Sequence, residues 1–109
     1  MSGAEHQRIP SSLCLENAQA RRLQTLARRD RLSREALLAW VLRQAARQER
    51  LKELAREIGR ERKKRTVRWS FNRGHPLVCE LIDDLQKEDV NVSLLVRLYL
   101  EYEKKNRTR

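Results

Sequence analysis

The sequence predicts a mainly α fold carrying one small antiparallel β-ribbon, built from two strand–helix–helix units joined by a connector and related by a pseudo-two-fold axis. Three observations predict it. Residues 65–72 alternate between apolar and polar side chains, the stretches after them carry apolar residues at helical spacing, and the chain matches its own pattern at an offset of 58 positions. With 109 residues there is room for one compact domain or two very small ones. Hydrophobic residues make up 39% and charged residues 37%, enough for a thin core but not for the deep pocket of a multi-step enzyme.

The second unit, residues 65–105, shows the pattern most clearly. In R-T-V-R-W-S-F-N, Val67, Trp69 and Phe71 share one face, while Thr66, Arg68 and Ser70 share the other. Period two with β-branched and aromatic residues defines a half-buried strand. Arg73 and Gly74 break it, and Pro76 suits the first position of a helix. Leu77, Val78, Leu81, Ile82 and Leu85 then form an apolar stripe. After the polar residues 87–89, Asn91 or Ser93 can cap a second helix that carries Leu95, Val96, Leu98, Tyr99, Leu100 and Tyr102.

The first unit, residues 7–46, follows from the offset. Ile9 falls on Val67, Leu13 on Phe71, Leu23 on Leu81, Ala27 on Leu85, Leu37 on Leu95 and Leu42 on Leu100. Only four positions between 8 and 45 are identical, so the match lies in the pattern: both segments change period at the same place. Arg29, Asp30 and Arg31 supply the polar break, and Ser33 caps the second helix where Asn91 stands in the other unit. Cys14 is expected just past the first strand, as an inert thiol.

Residues 47–64 form the connector. Leu51, Leu54, Ala55 and Ile58 make one more helical stripe, closed by Gly59, and residues 60–65 carry five positive charges against one negative. A unit of strand and two helices leaves an unpaired edge and two open apolar stripes, so two units must pair. The lengths allow this within one chain. Residues 33–46 run about 21 Å as helix, residues 47–58 return about 18 Å, and residues 60–65 cross about 20 Å extended. The rival arrangement is an unbroken helix over residues 33–58, which would force pairing with another chain.

The formal net charge is +10 and the isoelectric point about 10.6. Residues 1–58 hold 12 basic and 7 acidic side chains, and residues 59–109 hold 13 and 8, so each half carries +5. So strong a field on so small a body points to a polyanion as partner, with double-stranded DNA expected first. No membrane association is expected, since no apolar run approaches the ~20 residues of a span. Residues 1–10 lack the apolar region of a signal peptide. Cys14 and Cys79 form no disulfide framework, which suits a cytoplasmic setting. His6 and His75 have no metal-ligand pattern around them, so no cofactor or metal is expected. Asp83 and Asp84 read as a solvated helix face, and neither a phosphate loop nor a Ser/His/Asp set is present, so no enzymatic activity is expected. Trp69 reads as core and Trp40 as core or interface.

Together these features resemble the ribbon-helix-helix family of DNA-binding proteins, the class of the Arc and MetJ repressors. The stretches N-V-S-L-L-V-R at 91–97 and L-S-R-E-A-L-L at 32–38 resemble the family's turn into its second helix. Two units in one chain resemble the tandem arrangement of TraY, and the second unit is similar to ParR-type centromere-binding proteins. The resemblance implies a β-ribbon in the major groove, with Thr66, Arg68, Ser70, Arg8 and Ser12 reading bases. Pro10 departs from the pattern: the first strand is then either frayed at its start or part of an asymmetric ribbon. Ser33, Arg34, Asn91 and Ser93, at the starts of the second helices, together with Lys63, Lys64 and Arg65, are expected to meet phosphates. The biological role implied is transcriptional repression or autoregulation, with plasmid partition or conjugation as an alternative. A homo-oligomer on longer DNA is also expected as an arrangement. The reading from another class is an antitoxin-like interaction module that docks a protein partner through the helix at 47–58.

Overall fold

The computed structural model describes residues 8–57 and 66–107. Its elements run β1 (Pro10–Leu15), α1 (Asn17–Arg29), α2 (Arg34–Ala46), α3 (Glu49–Glu57), β2 (Val67–Asn72), α4 (Cys79–Lys87) and α5 (Val92–Arg107). The fold is mainly helical with a small two-stranded antiparallel sheet.

The strands pair within the chain. Ser12 faces Ser70 at the middle, flanked by Ser11 opposite Phe71 and Leu13 opposite Trp69. Leu13, Leu15, Trp69 and Phe71 are buried, so one ribbon face closes the core. The first strand runs further than expected. Leu15 belongs to it and is fully buried, and Cys14 lies inside it rather than past its end. Ile9 and Val67, expected to face inward, are 42% and 40% exposed. With the ribbon centred on Ser12 and Ser70, both lie out at its ends. Pro10 does not fray the strand. Its missing N–H falls at the end of the ladder, and pairing continues past it: Ile9 N–H donates to Asn72 Oδ1 at 2.8 Å, and Arg73 N–H to the Ile9 carbonyl at 2.9 Å.

The helices stop and start at matched places. In α1, the Gln19 amide oxygen accepts from Glu16 N–H at 3.3 Å while its NH2 donates to the Arg97 carbonyl, which fixes the helix start against α5. The helix ends in a left-handed residue, Arg31, with φ near 55°; Asp89 does the same after α4, with φ near 60°. At each end the following N–H reaches back, Leu32 to the Ala27 carbonyl at 2.9 Å and Val90 to the Leu85 carbonyl at 3.0 Å. Both are Schellman stops that satisfy the last orphan carbonyls. Ser33 Oγ accepts from Ala36 N–H at 3.0 Å, and Asn91 Oδ1 accepts from Leu94 N–H at 3.1 Å. Helix ends, left-handed residues and caps thus recur 58 positions apart.

One start differs from expectation. α4 begins at Cys79, not at Pro76, because His75 holds the preceding turn: its Nδ1 accepts from Leu77 N–H at 3.1 Å and its carbonyl from Val78 and Cys79 N–H, each at 3.0 Å. Leu77 is therefore exposed, and the buried residues are Val78, Ile82 and Leu85.

The long helix over residues 33–58 does not form. α2 closes at residues 47–48, where Gln48 N–H bonds the Ala45 carbonyl and the Gln48 carbonyl accepts from Leu51 and Lys52 N–H. The returning α3 lies against α2 and α5 and buries Leu51 and Ala55. Arg56 pins it to the end of α4, with Nε on the Glu88 carbonyl and Nη2 on Glu88 Oε1, both at 2.8 Å. Lys52 lies between Glu49 at 3.1 Å and Glu88 at 3.5 Å. Its hydrogen bond to Glu49, opposed by partial burial and reinforced by the charge of Glu88, raises its pKa above the ordinary lysine value. Ile58, Gly59 and the basic run at 60–65 lie outside the described residues. One hydrophobic cluster draws on all seven elements. Among the described residues no helix is long and apolar enough to cross a membrane.

Candidate nucleic-acid interface

Strand alternation that turns Leu13, Leu15, Trp69 and Phe71 inward must turn their neighbours outward. The outer face of the ribbon therefore consists of three cross-strand rows: Cys14 with Arg68, Ser12 with Ser70, and Pro10 with Asn72. Pro10, Cys14, Arg68 and Ser70 are exposed; Ser12 and Asn72 are half-buried. At about 3.4 Å per residue the outer rows stand about 14 Å apart. Arg8 and Thr66, both exposed, precede the two strands and so lie at opposite ends of the face.

Arg68 has neither an ion pair nor a side-chain hydrogen bond among the described residues, whereas Arg73 and Arg34 are engaged. Arg73 bonds Asp83 at 3.3 Å and also Gln86. Arg34 donates from Nη1 to the Ser70 carbonyl at 3.0 Å, with its guanidinium carbon 5.7 Å from the centre of the Trp69 ring. That placement adds a cation–π contact to the hydrogen bond.

The first turns of α2 and α5 are fastened to the ends of the ribbon. Glu35 Oε2 accepts from Asn72 N–H at 2.7 Å, and Ser93 Oγ accepts from Cys14 N–H at 3.1 Å. Glu35 and Ser93 stand 58 positions apart, as do Cys14 and Asn72. A carboxylate on one side and a hydroxyl on the other thus make the same contact, each from one half of the chain to the strand of the other half.

All five residues expected to read bases lie on or beside this face. The residues expected at phosphates divide. Ser33 and Asn91 are helix caps at the surface, Arg34 is exposed but held along the ribbon, and the Ser93 hydroxyl accepts from the strand backbone. Lys63, Lys64 and Arg65 lie outside the described residues. Two members of the outer face, the free thiol Cys14 and Asn72, are absent from the set that alternation and resemblance predict. A signal for them exists in the sequence, since an offset of 58 makes Ser12 and Ser70 equivalent, and a two-fold axis through that pair adds one further outward residue to each strand. The Asn72 amide is already half committed: Oδ1 accepts from Ile9 N–H at 2.8 Å and Gly74 N–H at 3.0 Å. Comparison with protein-family models, with curated proteins and with solved structures finds no match.

Proposed function

We propose that this chain is a sequence-specific double-stranded DNA-binding protein, a tandem ribbon-helix-helix protein whose ribbon enters the major groove, and that it acts as a repressor or autoregulator of transcription. The observation that carries this reading is Arg68, exposed and unengaged in an outer row of a solvent-facing ribbon face whose other side is core. A two-stranded ribbon fits a major groove about 12 Å wide, and arginine bonds guanine O6 and N7 together. The N-termini of α2 and α5, pinned beside the ribbon, suit phosphates on either side of the groove. The net charge of +10 adds the sequence-independent attraction that DNA binding draws on.

The tandem reading is supported by the recurrence at 58 positions of helix ends, left-handed stops, caps and strand clamps. A second role, as a plasmid partition or conjugation accessory bound to DNA, rests on the resemblance of the tandem arrangement to TraY and of the second unit to ParR-type proteins. Under either role the chain binds and does not catalyse.

The test is selection of bound sequences from a random duplex library, followed by comparison of Arg68→Ala with the parent protein. The variant is expected to lose about 1–3 kcal/mol of discrimination between selected and random duplex while keeping its random-duplex affinity within severalfold. Failure of the parent protein to enrich any sequence would overturn the proposal.

A further inference from the structure

We infer that the ribbon reads a non-palindromic duplex, with guanine under Arg68 at one end and thymine under Pro10 and Asn72 at the other, so that the protein lies on its site in a single orientation. The inference rests on the proposed function and specifies its ligand.

The two halves of the chain are alike in backbone and unlike on the face that matters. The offset of 58 equates Ser12 with Ser70, Pro10 with Arg68 and Cys14 with Asn72. The middle row is therefore symmetric, serine against serine, and the outer rows are not. At one end Arg68 supplies a free guanidinium, whose paired donors match the two acceptors of guanine. Its neighbour Cys14 adds only a small, weakly polar thiol.

At the other end the proline ring has no donor or acceptor. Asn72 cannot make the bidentate contact with adenine, which needs the amide oxygen and nitrogen together, because its oxygen already accepts from Ile9 and Gly74. What remains is an NH2 donor beside an apolar ring. In the major groove thymine offers the complement, an O4 acceptor next to a methyl group. The proline end is held in place by the hydrogen bonds of Ile9 and Arg73 that continue past it. With the outer rows about 14 Å apart, the two specified bases should lie about four base pairs from each other.

The experiment selects bound duplexes with the full chain and repeats the selection with Arg68→Lys and Pro10→Arg. The expected parental site is non-palindromic, with a guanine and a thymine about four base pairs apart. Arg68→Lys keeps the charge but loses the fork, and should weaken the guanine preference about fivefold or more with an unchanged salt slope. Pro10→Arg gives each outer row one arginine and should move the preferred site toward a palindrome with guanine at both ends. A palindromic parental site overturns the inference and leaves the proposed function standing. A non-palindromic site that neither variant changes also overturns it. If no sequence is enriched, the proposed function falls and the inference with it. Should Pro10→Arg fail to fold, Arg68→Lys alone decides, since Arg68 is exposed and its side chain makes no hydrogen bond among the described residues.

Discussion

Glu35→Ala should destabilise the fold by about 2–3 kcal/mol. The carboxylate accepts the half-buried Asn72 N–H at 2.7 Å, and a hydrogen bond to a charged group is worth about 1.5–3 kcal/mol, more when its removal strands a donor. Glu35 also stands in the first turn of α2, where a negative charge adds about 0.3–1 kcal/mol against the helix dipole. Glu35→Gln keeps an acceptor but not the charge, and should cost only about 1 kcal/mol. Urea unfolding measures both values, and hydrogen exchange at the Asn72 amide measures the local effect. Exchange there should speed up in the alanine variant and stay slow in the glutamine variant. Equal stabilities for the two variants, or an Asn72 amide as protected in alanine as in the parent, would refute the reasoning.

Ser93→Ala removes the matching clamp on Cys14 and should cost about 1 kcal/mol. It shares no partner with Glu35, so the double variant should be additive within about 0.5 kcal/mol in the same titration. Leu15→Ala should cost about 2–5 kcal/mol and Ile9→Ala less than about 1, because the first side chain is buried and the second lies out at the ribbon end. Lys52 has a folded pKa above its unfolded one, so its stabilisation is complete below the ordinary lysine value and fades as pH rises through the raised one. Unfolding curves followed upward from about pH 9 should show that decline in the parent and a shallower one in Lys52→Met. For DNA, neutralising Lys63 and Lys64 should make log K against log salt shallower by about 0.9 for each phosphate left without its lysine.

Pattern is a sufficient guide where one residue type does one job. The strict alternation around Trp69, the Ser33 cap and the polar breaks at residues 29–31 and 87–89 each have a local cause, and the structure places an element boundary or a buried face at each. Pattern is a weaker guide where tertiary contact decides. No glycine or proline marks the turn at residues 47–48; α2 ends there because α3 gains more by folding back, burying Leu51 and Ala55 and placing Arg56 on Glu88. Pro76 suggests a helix start that the His75 turn delays by three residues. On the candidate face, Arg68 and Ser70 are legible from alternation, and Ser12 from its offset of 58 to Ser70. Cys14 and Asn72 require the strand register, and Glu35 offers no signal, because its role depends on a backbone N–H 37 positions away.

The most direct test is amide chemical-shift mapping of the full, isotope-labelled chain on its selected duplex. The largest changes should fall at Ser12, Cys14, Arg68 and Ser70 on the ribbon, with the outward side of α3 at Arg50 and Glu53 unmoved. Changes centred on α3 or around the exposed Trp40, with the ribbon amides still, would contradict a ribbon seated in the groove.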